Sequence, residues 1–437
     1  MSSINNAETA AVATTPQLRK ILPTIIASGL EGYDLTIYGL FAGAIARQFF
    51  PAGEGNLALL LTVATLGLGY IVRPVGGIIM GAYADRVGRK PAIFLTVALM
   101  AVSTGVMGLI PSYASIGVAA PILVLLARLI QGFAAGGGAS SSISFLAEMA
   151  PAKRRGYFAS WHQTVQIGSF LFCSALAAII AHLVPAEHAS SIGWRIPFLL
   201  ALVFGPLAWR IKSTLQEPAA LLKEKAVSVE QRRSAHIARS LRSEVKSVVL
   251  GFGISCLWTS SVFLLLIFMP TFANRTFGIP LSGGYNAAVI GGCVLVVLTP
   301  FFGAVSDRFG RKNTMLTAAV IFAIAIYPLF AYVGANKDVT SLMLAEVVFA
   351  VLIGAYTGPV GAMMAELFPT GIRSTALSIA NNLAVTIVGA FAPLTTTYLI
   401  GVTHDPLASA YYIMGAAIVS AIALVFVKDL TGVEMLK

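Results

Sequence analysis

Short polar breaks divide this chain into apolar runs of about twenty or more residues, and that repetition is what most constrains its fold. An α-helix of about 20 apolar residues crosses the roughly 30 Å hydrocarbon core of a bilayer. We predict an all-α integral membrane protein with twelve transmembrane helices and both termini on one side. The predicted spans are 21–46, 56–83, 91–111, 119–148, 157–184, 194–211, 247–273, 281–304, 313–333, 339–366, 373–400 and 407–428.

The composition and the distribution of charge agree with a membrane location. Of 437 residues, 57% are hydrophobic and 11% are charged, whereas soluble proteins carry about 25% charged residues. A net charge of +11 in a soluble domain would suggest nucleic-acid binding. Here nearly all basic residues fall on one side of the predicted helices, the pattern of cytoplasmic loops. The net charge therefore reflects the orientation of the helices and an affinity for anionic lipid heads, not a nucleic-acid partner. The same distribution predicts that both termini are cytoplasmic.

Several other functional classes are disfavoured by the sequence. Cys173, Cys256 and Cys293 each lie inside an apolar run, so neither a disulfide framework nor a zinc site is expected. The chain shows no nucleophile–base pair, no metal-ligand cluster and no cofactor motif, so we predict that it is not an enzyme. The polar N-terminus lacks the features of a cleaved signal peptide.

One long polar segment, residues 212–246, interrupts the predicted helices near the middle of the chain. It predicts two six-helix bundles, residues 1–211 and 247–437, joined by a cytoplasmic linker. Two sequence repeats support this division. Gly81–Lys90 recurs as Gly303–Lys312, and Ala-Glu-x-x-Pro at 147–151 recurs at 365–369. In such pseudo-symmetric repeats the solute site lies near the midplane, between the halves.

These loops resemble the signature of the major facilitator superfamily, G-x-x-x-D-R-x-G-R-K, and the chain is similar to its metabolite:proton symporters. Further motifs are Glu31-Gly-Tyr33-Asp34 with Tyr38-Gly39, Arg73-Pro74 with Gly76-Gly77, and Arg128-Leu-Ile-Gln131-Gly132. Gly32 and Gly138 depart from the residues usual in that family, Trp and Glu, and we expect both changes to empty space near the cavity.

The resemblance implies a gate at the cytoplasmic ends of the helices. We expect Asp85 to accept hydrogen bonds from the N-terminus of a neighbouring helix and from arginines. The group is expected to contain Arg86 and Arg89, with Glu148 and Arg155 as partners. The second repeat predicts a weaker copy, whose gating residues are Asp307, Arg308, Arg311, Glu366 and Arg373.

Ionisable residues inside the predicted spans are the candidates for proton coupling, because buried charges in a bilayer are costly and usually face a polar cavity. Glu31, Asp34 and Tyr38 follow i, i+3, i+7 spacing and share one helix face. Arg128 is the expected cation beside Asp34. The alternative is a permanent ion pair that only holds two helices together. Arg73 suits an anionic solute, or equally satisfies backbone carbonyls in a kinked helix.

Other polar residues in the spans outline a possible solute-binding cavity, although many such residues only join helices. The candidate solute contacts are Arg73, Arg128, Tyr33, Tyr38, Gln131, His162, Gln166, Trp258, Tyr356, Asn381 and Asn382. The glycines in 76–81 and 132–138 predict close helix contacts rather than a phosphate-binding loop.

We therefore predict a monomeric, proton-coupled symporter of a bacterial inner membrane that imports a small carboxylated metabolite by alternating access. Its partners are the solute, protons and the lipid bilayer, with neither cofactor nor metal. The alternatives are proton-coupled uptake of a zwitterion such as proline or betaine, and an efflux antiporter.

Overall fold

The computed structural model describes residues 2–50, 55–183, 192–203, 205–206 and 241–435, and the regular elements in these ranges are helices. The first half contains six principal helices: α1 Ser2–Leu40, α2 Gly55–Arg86, α3 Arg89–Leu109, α4 Ala119–Met149, α5 Arg155–Leu183 and α6 Arg195–Leu200. The second half contains α7 Val245–Phe277, α8 Leu281–Phe309, α9 Arg311–Asn336, α10 Val339–Glu366, α11 Thr370–Thr403 and α12 Ala408–Phe426. Within the described ranges, nine of these helices are long and apolar enough to cross a membrane.

Most predicted helix bounds agree with the observed ones to within a few residues. The first helix differs: it begins at Ser2, ends at Leu40, and is followed by a separate short helix, Ala42–Phe49. Gly39 and Gly43 flank the break, where the low helical propensity of glycine weakens a continuous helix. The end of the predicted sixth helix, 207–211, and most of the predicted linker, 212–240, lie outside the described residues.

Two helices of the second half contain a π-helical segment, Val262–Phe268 in α7 and Val385–Ala390 in α11. The segments pack together: a Cβ added to Gly389 would lie 3.0 Å from the Phe263 ring. Such segments interrupt the regular hydrogen-bond ladder and are frequent at functional sites. They place an irregular part of the second half next to α2, where the rings of Tyr70 and Phe263 meet edge to face.

The buried apolar side chains form two clusters, one for each half. One lies wholly within residues 21–201. The other covers residues 254–427 and includes Ile143, Ala147 and Ile167 from the first half. Each half therefore has its own core, as expected for two six-helix bundles.

The halves meet along two seams lined by small residues, α2 with α11 and α5 with α8. A Cβ added to Gly81 would lie 2.7 Å from the Thr375 Cα, and one added to Gly303 would lie 2.7 Å from the Gly156 carbonyl oxygen. Small residues let membrane helices approach backbone to backbone. Both seams lie beside the loops around Asp85 and Asp307, and we call this side of the molecule the basic end.

Candidate transport site

An acidic residue on α1, Asp34, is bound by donors from α3 and α4. Its Oδ1 accepts hydrogen bonds from Thr104 Oγ1 and Gln131 Nε2, both at 2.7 Å. Its Oδ2 lies 3.4 Å from Arg128 Nη1. The expected ion pair between Asp34 and Arg128 is thus present, but it is long, and both side chains are at least nine-tenths buried.

One edge of the Arg128 guanidinium makes no hydrogen bond to the described residues. Its Cζ lies 3.7 Å from the centroid of the Tyr38 ring, so the ring face stabilises the positive charge. The Tyr38 hydroxyl in turn lies 2.5 Å from Thr65 Oγ1. Arg128 Nε and Nη2 are buried and have no hydrogen-bond partner among the described residues. These two N–H groups form the side of the guanidinium that binds a carboxylate with two parallel hydrogen bonds.

A second acid–cation pair joins α1 to α2. Arg73 Nη2 donates to Glu31 Oε1, and Gln166 Nε2 on α5 lies 3.3 Å from Glu31 Oε2. His162 continues this chain: its Nε2 lies 3.1 Å from Gln166 Nε2, and its Nδ1 lies 3.0 Å from Ser28 Oγ. The structure therefore pairs Arg73 with a carboxylate rather than with backbone carbonyls.

Both pairs line one small cavity between α1, α2, α3 and α4. Its volume is about 30 Å³, enough for one or two water molecules and too small for an organic acid. The polar side chains that line it are Glu31, Asp34, Tyr70, Arg73, Arg128 and Gln131. The acids and arginines predicted from the sequence thus face a common polar space, which is small in this conformation.

The structure places several of the other expected solute contacts away from this cavity. The Tyr33 hydroxyl donates to the Pro197 carbonyl oxygen, and the Tyr356 hydroxyl donates to the Ile254 carbonyl oxygen, so each joins two helices within its own half. Trp258 lies in the apolar core of the second half. Asn382 Nδ2 on α11 donates to the Gly136 carbonyl oxygen on α4, so this side chain joins the two halves. Asn381 beside it is buried.

The two unusual glycines have different surroundings. A Cβ added to Gly32 would lie 2.8 Å from the Gln166 carbonyl oxygen, so Gly32 is a close contact between α1 and α5, and the expectation that it empties space is wrong. A Cβ added to Gly138 would lie 3.7 Å from Glu31 Oε2 and 2.8 Å from Thr96 Cγ2. Gly138 therefore lies beside the acidic cluster, where a larger side chain would approach Glu31.

At the basic end, Asp85 joins the two halves. Its Oδ1 accepts from Ser374 N at 3.1 Å, and its Oδ2 accepts from Thr375 N at 2.8 Å and Thr375 Oγ1 at 2.6 Å. Arg89 Nη1 also donates to Asp85 Oδ1. The carboxylate therefore binds the first turn of the regular α-helix in α11, which begins at Arg373 and where free backbone N–H groups and the helix dipole favour an anion.

Buried charges extend this junction. Glu148 Oε1 accepts from Arg89 Nη2 at 3.0 Å and from Arg373 Nη1 at 2.6 Å, so one carboxylate binds an arginine from each half. Arg89 Nη2 also donates to the Thr370 carbonyl oxygen at 2.9 Å. We call Asp85, Arg89, Glu148 and Arg373 the first gate. The side chains of its ion pairs have no solvent exposure, so this seam is closed.

The repeat in the second half builds a related junction. Asp307 accepts from Gly156 N at 2.8 Å and Tyr157 N at 2.9 Å, at the start of α5. Arg311 Nη2 lies 3.0 Å from Asp307 Oδ1. Asp307 has no hydroxyl donor equivalent to that of Thr375, because Gly156 and Tyr157 occupy the corresponding positions.

Glu366 completes what we call the second gate, together with Asp307, Arg311 and Arg155. It lies 2.9 Å from Arg311 Nη1 and 3.1 Å from Arg155 Nη1. Arg155 therefore belongs to the second gate, which corrects its expected place beside Asp85. Arg373 belongs to the first gate in the same way, because it binds Glu148. Each gate thus contains one arginine from the other half of the chain.

Two arginines expected in the gates stand apart from them. Arg308 is exposed, and Arg86 is half-buried with its Nε unpaired among the described residues. Sequence reasoning also missed Thr104 and Tyr70, because a threonine or a tyrosine in an apolar run carries little signal. The repeat itself indicated Arg373, since it corresponds to Arg155.

Comparisons with known proteins agree with this architecture. Residues 20–217 match the family model described as sugar (and other) transporter, and residues 293–433 match that of the major facilitator superfamily. The chain is 31% identical over 401 residues to the citrate-proton symporter of Salmonella typhi, covering 91% of this chain and 92% of that protein. It is 30% identical to the glycine betaine/proline/ectoine/pipecolic acid transporter of Dickeya dadantii, covering 94% of this chain and 84% of that protein.

Among solved structures, the fold resembles the proton:xylose symporter XylE bound to 6-bromo-6-deoxy-D-glucose. The TM-score is 0.80 with 20% sequence identity, covering 96% of this chain and 97% of that one. The family models and the relatives show that this helical chain is a multi-pass membrane transporter, not an enzyme. The chain belongs to the major facilitator superfamily, within its metabolite:proton symporters.

Proposed function

We propose that this protein is a proton-coupled symporter that imports a small carboxylated metabolite, such as a di- or tricarboxylate. The observation that carries the proposal is the unused edge of Arg128. Two buried N–H groups without partners among the residues that the structure describes are costly, and a carboxylate would satisfy both of them in one bidentate contact. Arg73, on the other side of the same cavity, offers a second cation for a solute with more than one carboxylate.

Competition for Arg128 gives a physical route to coupling. Asp34 and a solute carboxylate both take Arg128 as their cation, and the existing contact to Asp34 is long, at 3.4 Å. When a solute carboxylate binds the Nε–Nη2 edge and neutralises Arg128, Asp34 carries a negative charge inside the membrane span that is no longer compensated, which is unfavourable. Taking up a proton removes that cost. Solute and proton therefore bind together, and Glu31 and Arg73 repeat the same relationship one turn away.

The gates supply the alternating access. Both gates are formed here, so the molecule is closed at the basic end, which the distribution of basic residues makes cytoplasmic. Rocking of residues 1–211 against 247–437, about the linker 212–246, would open these junctions and release the solute. The protein would act as a monomer in the inner membrane of a bacterium, with both termini in the cytoplasm.

A zwitterionic osmolyte such as proline or betaine is the second candidate. The relative from Dickeya dadantii carries such solutes by its name. The Tyr70 ring lines the cavity beside the acids, and aromatic faces bind quaternary ammonium groups. In this alternative the solute carboxylate would bind Arg128 and its cationic group would lie near Tyr70 and Glu31. An efflux antiporter would use the same residues in the opposite direction.

The decisive experiment is a solute panel in proteoliposomes. Purified protein would be reconstituted with an imposed pH gradient, and the accumulation of citrate, 2-oxoglutarate, shikimate, proline and glycine betaine would be measured. We expect accumulation of a carboxylic acid, driven by an inward proton gradient and abolished by a protonophore. Accumulation of betaine or proline alone would select the second candidate. Solute loss driven by the same gradient would identify an antiporter.

A further inference from the structure

A carboxylic acid in the second half, Glu346, plays no part in the cavity or the gates. It is the eighth residue of α10, about 10 Å along the helix from its start at Val339. Its exposure is 2%, and its Oε1 is buried without a hydrogen-bond partner in the described part of the chain. No ion pair within the described residues reaches either of its oxygens.

The surroundings of Glu346 are apolar on its own helix. Leu342, Phe349 and Ala350, one turn before and one turn after it, are buried members of the core of the second half. On α8 the facing residue is Gly291, where an added Cβ would lie 3.0 Å from Glu346 Oε2. Glycine at 291 thus leaves the space that the carboxyl group occupies.

The charged groups on the helices that pack against α10 are engaged elsewhere. Arg128 on α4 binds Asp34, and His162 on α5 contacts Ser28 and Gln166. Six of the remaining charged groups belong to the gates: Glu148, Arg155, Asp307, Arg311, Glu366 and Arg373. Lys312 donates to carbonyl oxygens at the end of α12. The side chains of Lys246, Arg275 and Arg308 are exposed. None of them is paired with Glu346.

We propose that Glu346 is a second proton-binding site, located in the second half and separate from Asp34. An ionised carboxylate without a cation or hydrogen-bond donors is strongly disfavoured in such surroundings, whereas the neutral acid is tolerated. In the conformation with a closed basic end, Glu346 therefore holds a proton.

The position of Glu346 beside a moving seam makes this proton exchangeable. Gly292, next to Gly291 on α8, faces the first half: an added Cβ would lie 3.0 Å from Leu171 Cδ2 on α5. Glu346 lies about 30 Å along α10 from the gates, so separation of α5 from α8 at the level of Leu171 and Gly292, away from the basic end, would give water access to its pocket. The site can then release and rebind its proton during the conformational cycle.

Infrared spectroscopy of the full-length protein in lipid tests the site without any solute. At neutral pH, the carbonyl stretching absorption of protonated carboxylic acids should be weaker in Glu346→Gln than in the wild type. Glu244→Gln is the matched control, since Glu244 at the start of α7 is partly exposed to water and should not contribute. Equal absorption in wild type and Glu346→Gln would overturn the proposal.

Exchange into heavy water tests whether the proton is mobile. We expect the band assigned to Glu346 to shift within minutes after transfer to deuterated buffer. A band that stays unshifted for many hours would identify a permanently sealed acid and overturn the role as a working site. Neither readout depends on the proposed solute, so failure here and failure of the solute panel are separate results.

A second substitution guards against misfolding of the first. Glu346→Leu should keep the Tm within a few degrees of the wild type, because no partner is left unpaired. Glu31→Leu is the contrast, since it leaves Arg73 buried without its carboxylate and should lower the Tm clearly more. A drop in Glu346→Leu as large as that in Glu31→Leu would show that Glu346 has an ionic partner, against the proposal.

Discussion

Asp85 in the first half accepts two hydrogen bonds from Thr375 in the second half, one from its backbone N–H at 2.8 Å and one from its hydroxyl at 2.6 Å. One carboxylate thereby holds the start of α11 against the end of α2. Hydrogen bonds to a charged group contribute roughly 1.5–3 kcal/mol each. The two hydrogen bonds therefore stabilise the closed seam between α2 and α11 in this conformation.

Replacing Asp85 with asparagine should open the basic end. Both carboxylate oxygens accept hydrogen bonds here, and an asparagine would turn one of them into an N–H group that faces other donors. The measurement is maleimide labelling of a cysteine placed at Ser378, which is buried in this seam, in a Cys293→Ser background. We expect labelling to rise at least severalfold.

Asp307→Asn is the matched comparison for that prediction. Asp307 accepts two backbone hydrogen bonds and no hydroxyl hydrogen bond from the other half, so its loss should increase labelling less. An equal or larger rise in labelling for Asp307→Asn would contradict the expectation that the first gate holds the basic end closed more strongly than the second gate.

Gly81→Val should also prevent closure, for a steric reason. An added Cβ at Gly81 would lie 2.7 Å from the Thr375 backbone, so the two helices could not approach. We expect labelling at position 378 together with a loss of net solute uptake of about tenfold or more, since each turnover needs the closed state. Gly39→Val is the control, because no heavy atom lies within 4 Å of a Cβ at that position. Labelling as low as in the wild type would refute the steric argument.

Asp34→Asn should uncouple uptake from the proton gradient. An amide keeps the size of the side chain but cannot take up and release a proton, so accumulation against a gradient should be lost while solute exchange across the membrane continues. Proteoliposome uptake, with and without a pH gradient, separates the two activities. Thr104→Val removes one hydrogen bond to the same oxygen and should leave accumulation in place. Undiminished uphill uptake by Asp34→Asn would exclude Asp34 as the proton carrier.

Arg128→Lys should weaken binding of a carboxylated solute. Lysine keeps the charge but lacks the planar fork, whose Nε and Nη2 have no partner among the described side chains. Loss of a bidentate contact worth about 1.4–3 kcal/mol raises the KM for uptake roughly tenfold to a hundredfold. The same substitution at Arg195, which donates to carbonyl oxygens at the end of α3, provides a control with no expected effect on KM. An unchanged KM in Arg128→Lys would remove Arg128 from the solute site.

Glu148→Gln should destabilise the protein, because two buried arginines from different halves share this carboxylate. Removing one partner of a buried ion pair typically costs about 3–5 kcal/mol. Thermal unfolding in detergent should show a Tm several degrees below that of the wild type. Glu366→Gln, which affects the two arginines of the second gate, should behave similarly, whereas Glu244→Gln should not. A wild-type Tm for Glu148→Gln would mean that the first gate contributes little to stability.

The sequence predicted the fold well because the physics of the bilayer acts on each helix separately. A run of about twenty apolar residues forms a helix whatever its neighbours do, since its backbone groups must be satisfied internally. The predicted span 339–366 coincides with α10 for this reason. The break after Leu40 was missed because the apolar run continues across it and its signal, the low helical propensity of Gly39 and Gly43, is weak.

The site was predictable only in part. Asp34 and Arg128 stand out in the sequence because charge is rare in membrane spans. Tyr33, Trp258 and Tyr356 were chosen by the same reasoning, but a tyrosine or tryptophan satisfies its single polar group within one bundle as readily as in a cavity. Sequence position could not decide between these outcomes.

The sequence by itself determined the twelve-helix plan, the repeated loops and which buried charges need partners, because these follow from hydropathy and spacing along one chain. Only the tertiary structure decided the partners. Arg155 binds Glu366 in the other half, Arg73 binds Glu31, and Arg128 keeps one edge unused. Such pairings depend on how helices distant in sequence are placed side by side, and no local pattern of residues contains that information.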